Sequence, residues 1–126
     1  MIFGIGTDLV HIPRMEALLQ KHGDKIAERI LSESEFVTFQ ETSNKASFLA
    51  KRFAAKEAAA KAMGTGFRDG LSLRHIAVTN DKNGKPELQF FERAISLTDK
   101  LKIGRSMISL SDENEYAIAF VTLLER

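Results

Sequence analysis

The sequence contains no cysteine, which removes a disulfide framework and every thiolate metal site from consideration. Any metal would therefore be a hard cation on oxygen or one held by histidine. The three histidines, His11, His22 and His75, are scattered and lack acidic neighbours at ligand spacing, so they suggest neither a zinc motif nor a catalytic triad. Only two prolines occur, Pro13 and Pro86, with no low-complexity tract and no repeat, which leaves little room for internal linkers. No stretch approaches the ~20 apolar residues of a membrane span. The apolar start, Met1 to Val10, carries Asp8 and lacks a basic leader. These absences point to a cytoplasmic protein with no membrane partner, and a net charge of +1 gives no reason by itself to expect nucleic acid.

What is present is ordinary globular material: 126 residues, 44% hydrophobic and 28% charged, enough for one domain spanning 1–126 with a real core. The charge is unevenly spread. Residues 45–75 hold seven bases (Lys45, Lys51, Arg52, Lys56, Lys61, Arg68 and Arg74) against Glu57 and Asp69, while residues 32–44 hold Glu33, Glu35 and Glu41 with no base. A basic middle fits a phosphate-bearing ligand, or one solvated helix face.

The pattern predicts a strand over Ile2–Val10, then a helix with Pro13 in its first turn, Met15, Leu18 and Leu19 on its apolar face and Gly23 at its end. Asp24 is expected to cap a second short helix and Ser32 a third that carries Phe36 and Phe39. Lys45 to Met63 reads as a long helix rich in alanine, lysine and arginine, stopped by Gly64. Two strands, His75–Asn80 and Glu87–Phe91, flank an Asn83-Gly84 turn. A helix over Glu92–Leu101 and strands over Met107–Leu110 and Tyr116–Leu124 complete an α+β fold, a long central helix packed on a mainly antiparallel sheet. Phe36, Phe39, Phe48 and Phe53, at helical spacings, are expected in the core.

Two carboxylates stand out. Asp8 falls at the end of an apolar strand, where it needs a cation, a partner or the amides of the following helix to cap. Glu57 lies among Ala54, Ala55, Ala58, Ala59 and Ala60, whose small side chains let other backbone approach closely; Lys61 follows at i+4. That spacing by itself favours a surface Glu–Lys pair, which is very common, and it also allows a metal ligand one turn from a phosphate-holding cation. Magnesium uses one or two carboxylates, waters and substrate phosphates, so Asp8 and Glu57 would suffice.

The runs Gly4-Ile5-Gly6-Thr7-Asp8-Leu9-Val10, Phe48 to Ala58 continuing through Lys61-Ala62-Met63-Gly64-Thr65-Gly66, and Asn83-Gly84-Lys85-Pro86 stand in an order and spacing that resembles the holo-acyl-carrier-protein synthases, which are 4′-phosphopantetheinyl transferases. Ser109 to Ala117 resembles that family's penultimate strand and turn, so the likeness covers nearly the whole chain. The resemblance implies Mg²⁺-dependent transfer of 4′-phosphopantetheine from coenzyme A to a serine of apo acyl carrier protein, releasing adenosine 3′,5′-bisphosphate in support of fatty acid biosynthesis. It implies that Asp8 and Glu57 bind the ion together with the diphosphate, and that Lys61 contacts phosphate. Gly64 and Gly66 would let the chain pass close to the substrate, and Lys85 and Pro86 would lie near its adenosine end. A homotrimer with active sites between subunits is also implied. Arg14 and Lys21, seven apart on one helix face, are expected to contact an acidic helix of the carrier protein. Many relatives have a histidine where this sequence has Met107, so no histidine is expected to be an obligatory base; Glu35 would be an alternative if the fold brought it close. The competing reading is a non-catalytic binder of nucleotide or RNA backbone on the basic stretch, although it lacks stacking aromatics on a basic sheet.

Overall fold

The computed structural model describes residues 1–126. In chain order the elements are β1 (Ile2–His11), α1 (Ile12–His22), α2 (Asp24–Ile30), α3 (Glu33–Glu41), α4 (Lys45–Met63), a short 3₁₀ turn (Leu73–His75), β2 (Ile76–Asn80), β3 (Pro86–Phe90), α5 (Arg93–Leu101), β4 (Ile103–Asp112) and β5 (Tyr116–Glu125). Strands β1, β5 and β4 form an antiparallel sheet in that order, and β2 and β3 form a separate hairpin. The α+β arrangement, with α4 laid on the larger sheet, is the expected one.

Close approach of α4 and β1 follows from residue size. Ala54, Ala55, Ala58 and Ala59 of α4 are fully buried, as are Ala117, Ala119, Val121 and Leu123 of β5. On β1 the matching small residues are glycines. A Cβ on Gly6 would fall far inside contact distance of the Ala58 carbonyl oxygen, and one on Gly4 would do the same at Ala62. Strand backbone therefore rests directly on helix backbone. The core cluster also takes in Phe39 and Phe48, while Phe36 and Phe53 pack against it half-buried.

Ser32 caps α3 through a capping box: its hydroxyl accepts from the Glu35 N–H at 3.4 Å, and Glu35 Oε1 accepts from the Ser32 N–H at 3.0 Å. The expectation for Asp24 needs correction. Gly23, at φ 63°, closes α1 and itself occupies the position before α2, so Asp24 is the first helical residue and makes no cap bond. Its charge still lies at the positive end of the helix. Strand β4 is also longer than Met107–Leu110. Gly104, Arg105 and Ser106 hide its beginning, and a register irregularity lies between Ile103 and Ser106.

Candidate active site

Strand β1 does not end at Asp8. It pairs with β5 through His11, with Asp8 opposite Ala119, and the residue before α1 is His11, which makes no side-chain cap bond. Asp8 is therefore not a helix cap. Alternation along the strand instead sends it to the α4 side, next to Lys61. Lys61 Nζ donates to Asp8 Oδ1 at 3.0 Å and to the Thr7 carbonyl at 3.0 Å. The i+4 pairing of Lys61 with Glu57 is thus replaced by a pairing across to β1, and Glu57 has no ion-pair partner within 4.0 Å.

The Glu57 carboxyl is held above its ordinary value, first by burial and then by the negative charge of Asp8, with Lys61 pulling the other way. Two half-buried carboxylates thus share one neighbourhood with a single lysine. All the donors are hard oxygens, with no sulfur or imidazole nitrogen among them, and no group of three or more acidic or histidine ligands occurs in the chain. Such a donor set fits an ion that keeps waters and takes phosphate oxygens from its substrate, as Mg²⁺ does, and does not fit zinc.

Asp8 and Glu57 open into a recess of about 640 Å³ between β1, α1, α2 and α4. Arg14 and Arg29 line it, and Leu18, Ile26, Phe53 and Leu73 give it an apolar wall. Arg29 was not singled out from the sequence; it lies in the last turn of α2, and only the packing of α2 beside α1 brings it here. Lys21 is exposed in the last turn of α1 and does not line the recess. His11 reaches its rim, with its ring packed on Tyr116 at 5.1 Å between centroids.

Gly64 and Gly66 follow α4 with φ of 80° and 63°, and each faces open space where a side chain would begin. Gly64 is a left-handed helix cap donating to the Lys61 carbonyl, so its capping role coexists with an open approach to Lys61. Lys85 and Pro86 are not brought to Asp8 within one chain. They line a separate recess of about 290 Å³ with Arg105 and Met107.

The structure withdraws Glu35 as a proton acceptor at this site. Its Oε1 accepts from Lys56 Nζ at 2.6 Å, and its Oε2 accepts from the Val78 N–H at 2.8 Å with Arg52 Nε 3.6 Å away, all in the interior. Much of the basic stretch is committed in the same way. Lys56 is wholly buried, Arg52 sits over the Phe48 ring, Arg74 donates to the Leu31 carbonyl and Lys51 pairs with Asp112. The alternative of a backbone-binding basic surface, and that of a solvated helix face, is thereby left with few free bases, Lys61 and Arg68 among the exposed ones.

The profile of the 4′-phosphopantetheinyl transferase superfamily matches residues 4–121. The holo-acyl-carrier-protein synthase of Halorhodospira halophila is 50% identical over 124 residues, covering 98% of each chain. The crystal structure of the holo-acyl-carrier-protein synthase from Neisseria meningitidis superposes with a TM-score of 0.92 at 44% identity, covering 99% of this chain and 100% of that one. That of the synthase from Bacillus anthracis, in complex with CoA (3′,5′-ADP), superposes with a TM-score of 0.83 at 38% identity, covering 100% and 99%.

Proposed function

Because this chain belongs to the 4′-phosphopantetheinyl transferase superfamily, among its holo-acyl-carrier-protein synthases, we propose that it moves 4′-phosphopantetheine from coenzyme A to a serine of apo acyl carrier protein, with Mg²⁺ held by Asp8 and Glu57. The observation that carries this reading is the convergence of Asp8, Glu57 and Lys61 beside one open recess. The coenzyme A complex of the Bacillus anthracis relative supports the choice of donor substrate.

In the reaction the serine hydroxyl attacks the β-phosphorus of coenzyme A. The new bond is serine oxygen to phosphorus; the broken bonds are phosphorus to the bridging oxygen, which leaves on adenosine 3′,5′-bisphosphate, and the serine O–H, whose proton passes to water. When bound, the ion neutralises the diphosphate and stabilises charge developing on that oxygen. Lys61, with 54% of its side chain exposed, can turn from Asp8 to a phosphate oxygen, adding a second positive charge. Arg14, Arg29 and the apolar wall between them suit an acidic, amphipathic helix of the carrier protein, with Lys21 further along α1. In this reading no imidazole is an obligatory base: the family resemblance puts Met107 where many relatives are expected to have histidine, and His11, at the recess rim, packs on Tyr116.

Lys85, Pro86 and Arg105 would meet the adenosine end of coenzyme A only from a neighbouring copy, which accords with a homotrimer that completes each site at a subunit boundary. Residues 1–126 would form one domain acting in the cytoplasm in fatty acid biosynthesis. No helix is long and apolar enough to cross a membrane.

The deciding experiment incubates the protein with coenzyme A, Mg²⁺ and apo carrier protein and reads intact mass. The carrier should gain one phosphopantetheine. Asp8→Ala should remain folded and lose about 100-fold or more of turnover, the scale of removing one pre-organised charge stabiliser. No mass gain with wild type, or undiminished turnover by Asp8→Ala at limiting Mg²⁺, would refute the reading. Arg14→Glu should raise KM for the carrier protein in a salt-dependent way and leave KM for coenzyme A unchanged; equal loss for both would remove Arg14 from the docking face.

A further inference from the structure

Consecutive residues of a helix point about 100° apart, so while Glu57 faces the recess its neighbour Lys56 turns inward. Lys56 is 0% exposed. Its ammonium has three protons and donates three bonds: to Glu35 Oε1 at 2.6 Å, to the Ile76 carbonyl at 2.6 Å and to the Leu73 carbonyl at 3.0 Å. Glu35 in turn is held by the N–H groups of Ser32 and Val78.

Stability alone does not explain the choice of lysine. Burying an ion pair costs desolvation of both partners, and apolar residues of similar volume often serve as well. What an apolar residue cannot do is bind the carbonyl that opens this 3₁₀ turn together with the first carbonyl of β2 that follows it. The 3₁₀ turn Leu73–His75 is otherwise fastened to itself, through Ser72 and His75, to the end of α2, through Arg74 and the Leu31 carbonyl, and to the residue after β3, through the Phe91 N–H and the His75 carbonyl. The two bonds from Lys56 are the only side-chain hydrogen bonds that join this turn and the first residue of β2 to α4, the helix that carries Glu57. Leu73, whose carbonyl Lys56 holds, forms the recess wall together with Phe53, and Phe53 stands one helical turn before Glu57.

We propose that Lys56 is a positioning residue for carrier-protein recognition: by tying Leu73 and Ile76 to α4, it fixes the Leu73–Phe53 wall at a set place relative to the Asp8–Glu57 pair. The inference rests on the reading of the recess as the carrier-protein site. It assigns Lys56 no contact with either substrate and no part in proton transfer.

The test compares Lys56→Met, the paired change Lys56→Met with Glu35→Gln, Glu35→Gln alone and Leu73→Ala. KM is measured separately for carrier protein and coenzyme A, and Mn²⁺ affinity by electron paramagnetic resonance. Glu35→Gln lowers the melting temperature but keeps the lysine-to-carbonyl bonds, so KM for the carrier should stay within about twofold of wild type. Lys56→Met and the paired variant should raise that KM about tenfold and leave KM for coenzyme A and Mn²⁺ affinity unchanged. The paired variant carries no uncompensated buried carboxylate, which guards against misfolding of the single change. Leu73→Ala, which leaves the lysine in place, should reproduce the rise. Unchanged carrier KM in Leu73→Ala, or parallel loss for both substrates and the metal in folded Lys56 variants, overturns the proposal. Failure of wild type to modify the carrier at all would instead refute the function on which it rests.

Discussion

Glu57 shows how far residue types alone reach. A lone acid among alanines is visible in the sequence as a candidate ligand, and so is an aspartate in an apolar strand. The partner of each is not. Lys61 lies one helical turn from Glu57, and rules of local spacing join those two, yet its ammonium goes to Asp8, 53 residues earlier in the chain. Only the seating of β1 on α4 decides that. Glu35 failed as a site candidate for a related reason, because its burial against Lys56 and Val78 is a tertiary fact. The consequence for Glu57 is measurable. Its folded-state value is raised, so the folded protein holds the Glu57 proton more tightly than the unfolded chain does. That contribution to stability is complete in acid, below the ordinary glutamate value, and is lost as pH rises through the raised value. Above that raised value, without divalent cation, the ionised carboxylate therefore weakens the fold. Glu57→Gln in chelator should melt a few degrees above wild type at pH 7, and the difference should vanish below about pH 4, where wild-type Glu57 is protonated. Thermal melts across that range check it; a Glu57→Gln melting point at or below wild type at pH 7 would mean that the carboxylates do not strain one another.

At the scale of elements, the helix α4 was legible to the residue because helix formers run unbroken from an Asn44 cap to a glycine stop. Strand β4 was less so, since its outward positions, Arg105, Ser109 and Ser111 among them, are polar and its apolar residues few. The glycines of β1 belong to the run that resembles the family, and that resemblance gives no physical reason for them. Two glycines at alternate positions of an apolar strand are a signal of close backbone approach, and α4 is what approaches. The contact sets Asp8 beside Lys61 and Glu57, so the proposed function would depend on it. Gly6→Ala pushes the new methyl into the Ala58 carbonyl, and the strand must lift. Overpacking of this kind costs about 1–3 kcal/mol. Denaturant unfolding should show a loss of that size, and turnover of the still-folded fraction should fall further than turnover of a core variant of equal stability. If Gly6→Ala matched such a control in specific activity, the glycine would serve packing alone.

At the scale of the whole molecule, one face of the large sheet is at odds with a solvated monomer. Strand β5 is central, and its inward residues are fully buried against α4, as a core strand requires. Its outward residues ought then to be polar. Instead Tyr116, Ile118 and Phe120 are exposed, and the neighbours paired in register extend the patch: Leu9 beside Ile118 on β1, with Ile5 and Met107 flanking Thr122 on either side. Contiguous apolar surface of this kind marks a contact with protein. In the proposed homotrimer the occupant would be a second copy of this chain, and a neighbour seated on the sheet could bring its own β3–β4 recess, with Lys85, Pro86 and Arg105, toward the carboxylate pair. The number of copies, three, comes from the family resemblance and not from the face itself. Wild type should therefore sediment as a trimer. Phe120→Asp, which places a charge at the middle of the open face and leaves the core side of β5 untouched, should give a folded monomer with an unchanged circular dichroism spectrum and little transferase activity. Mixing it with Asp8→Ala chains should not restore turnover, because the charged face cannot dock. A Phe120→Asp protein that remained trimeric would place the interface elsewhere, and one that was monomeric and fully active would show that each chain carries a complete site.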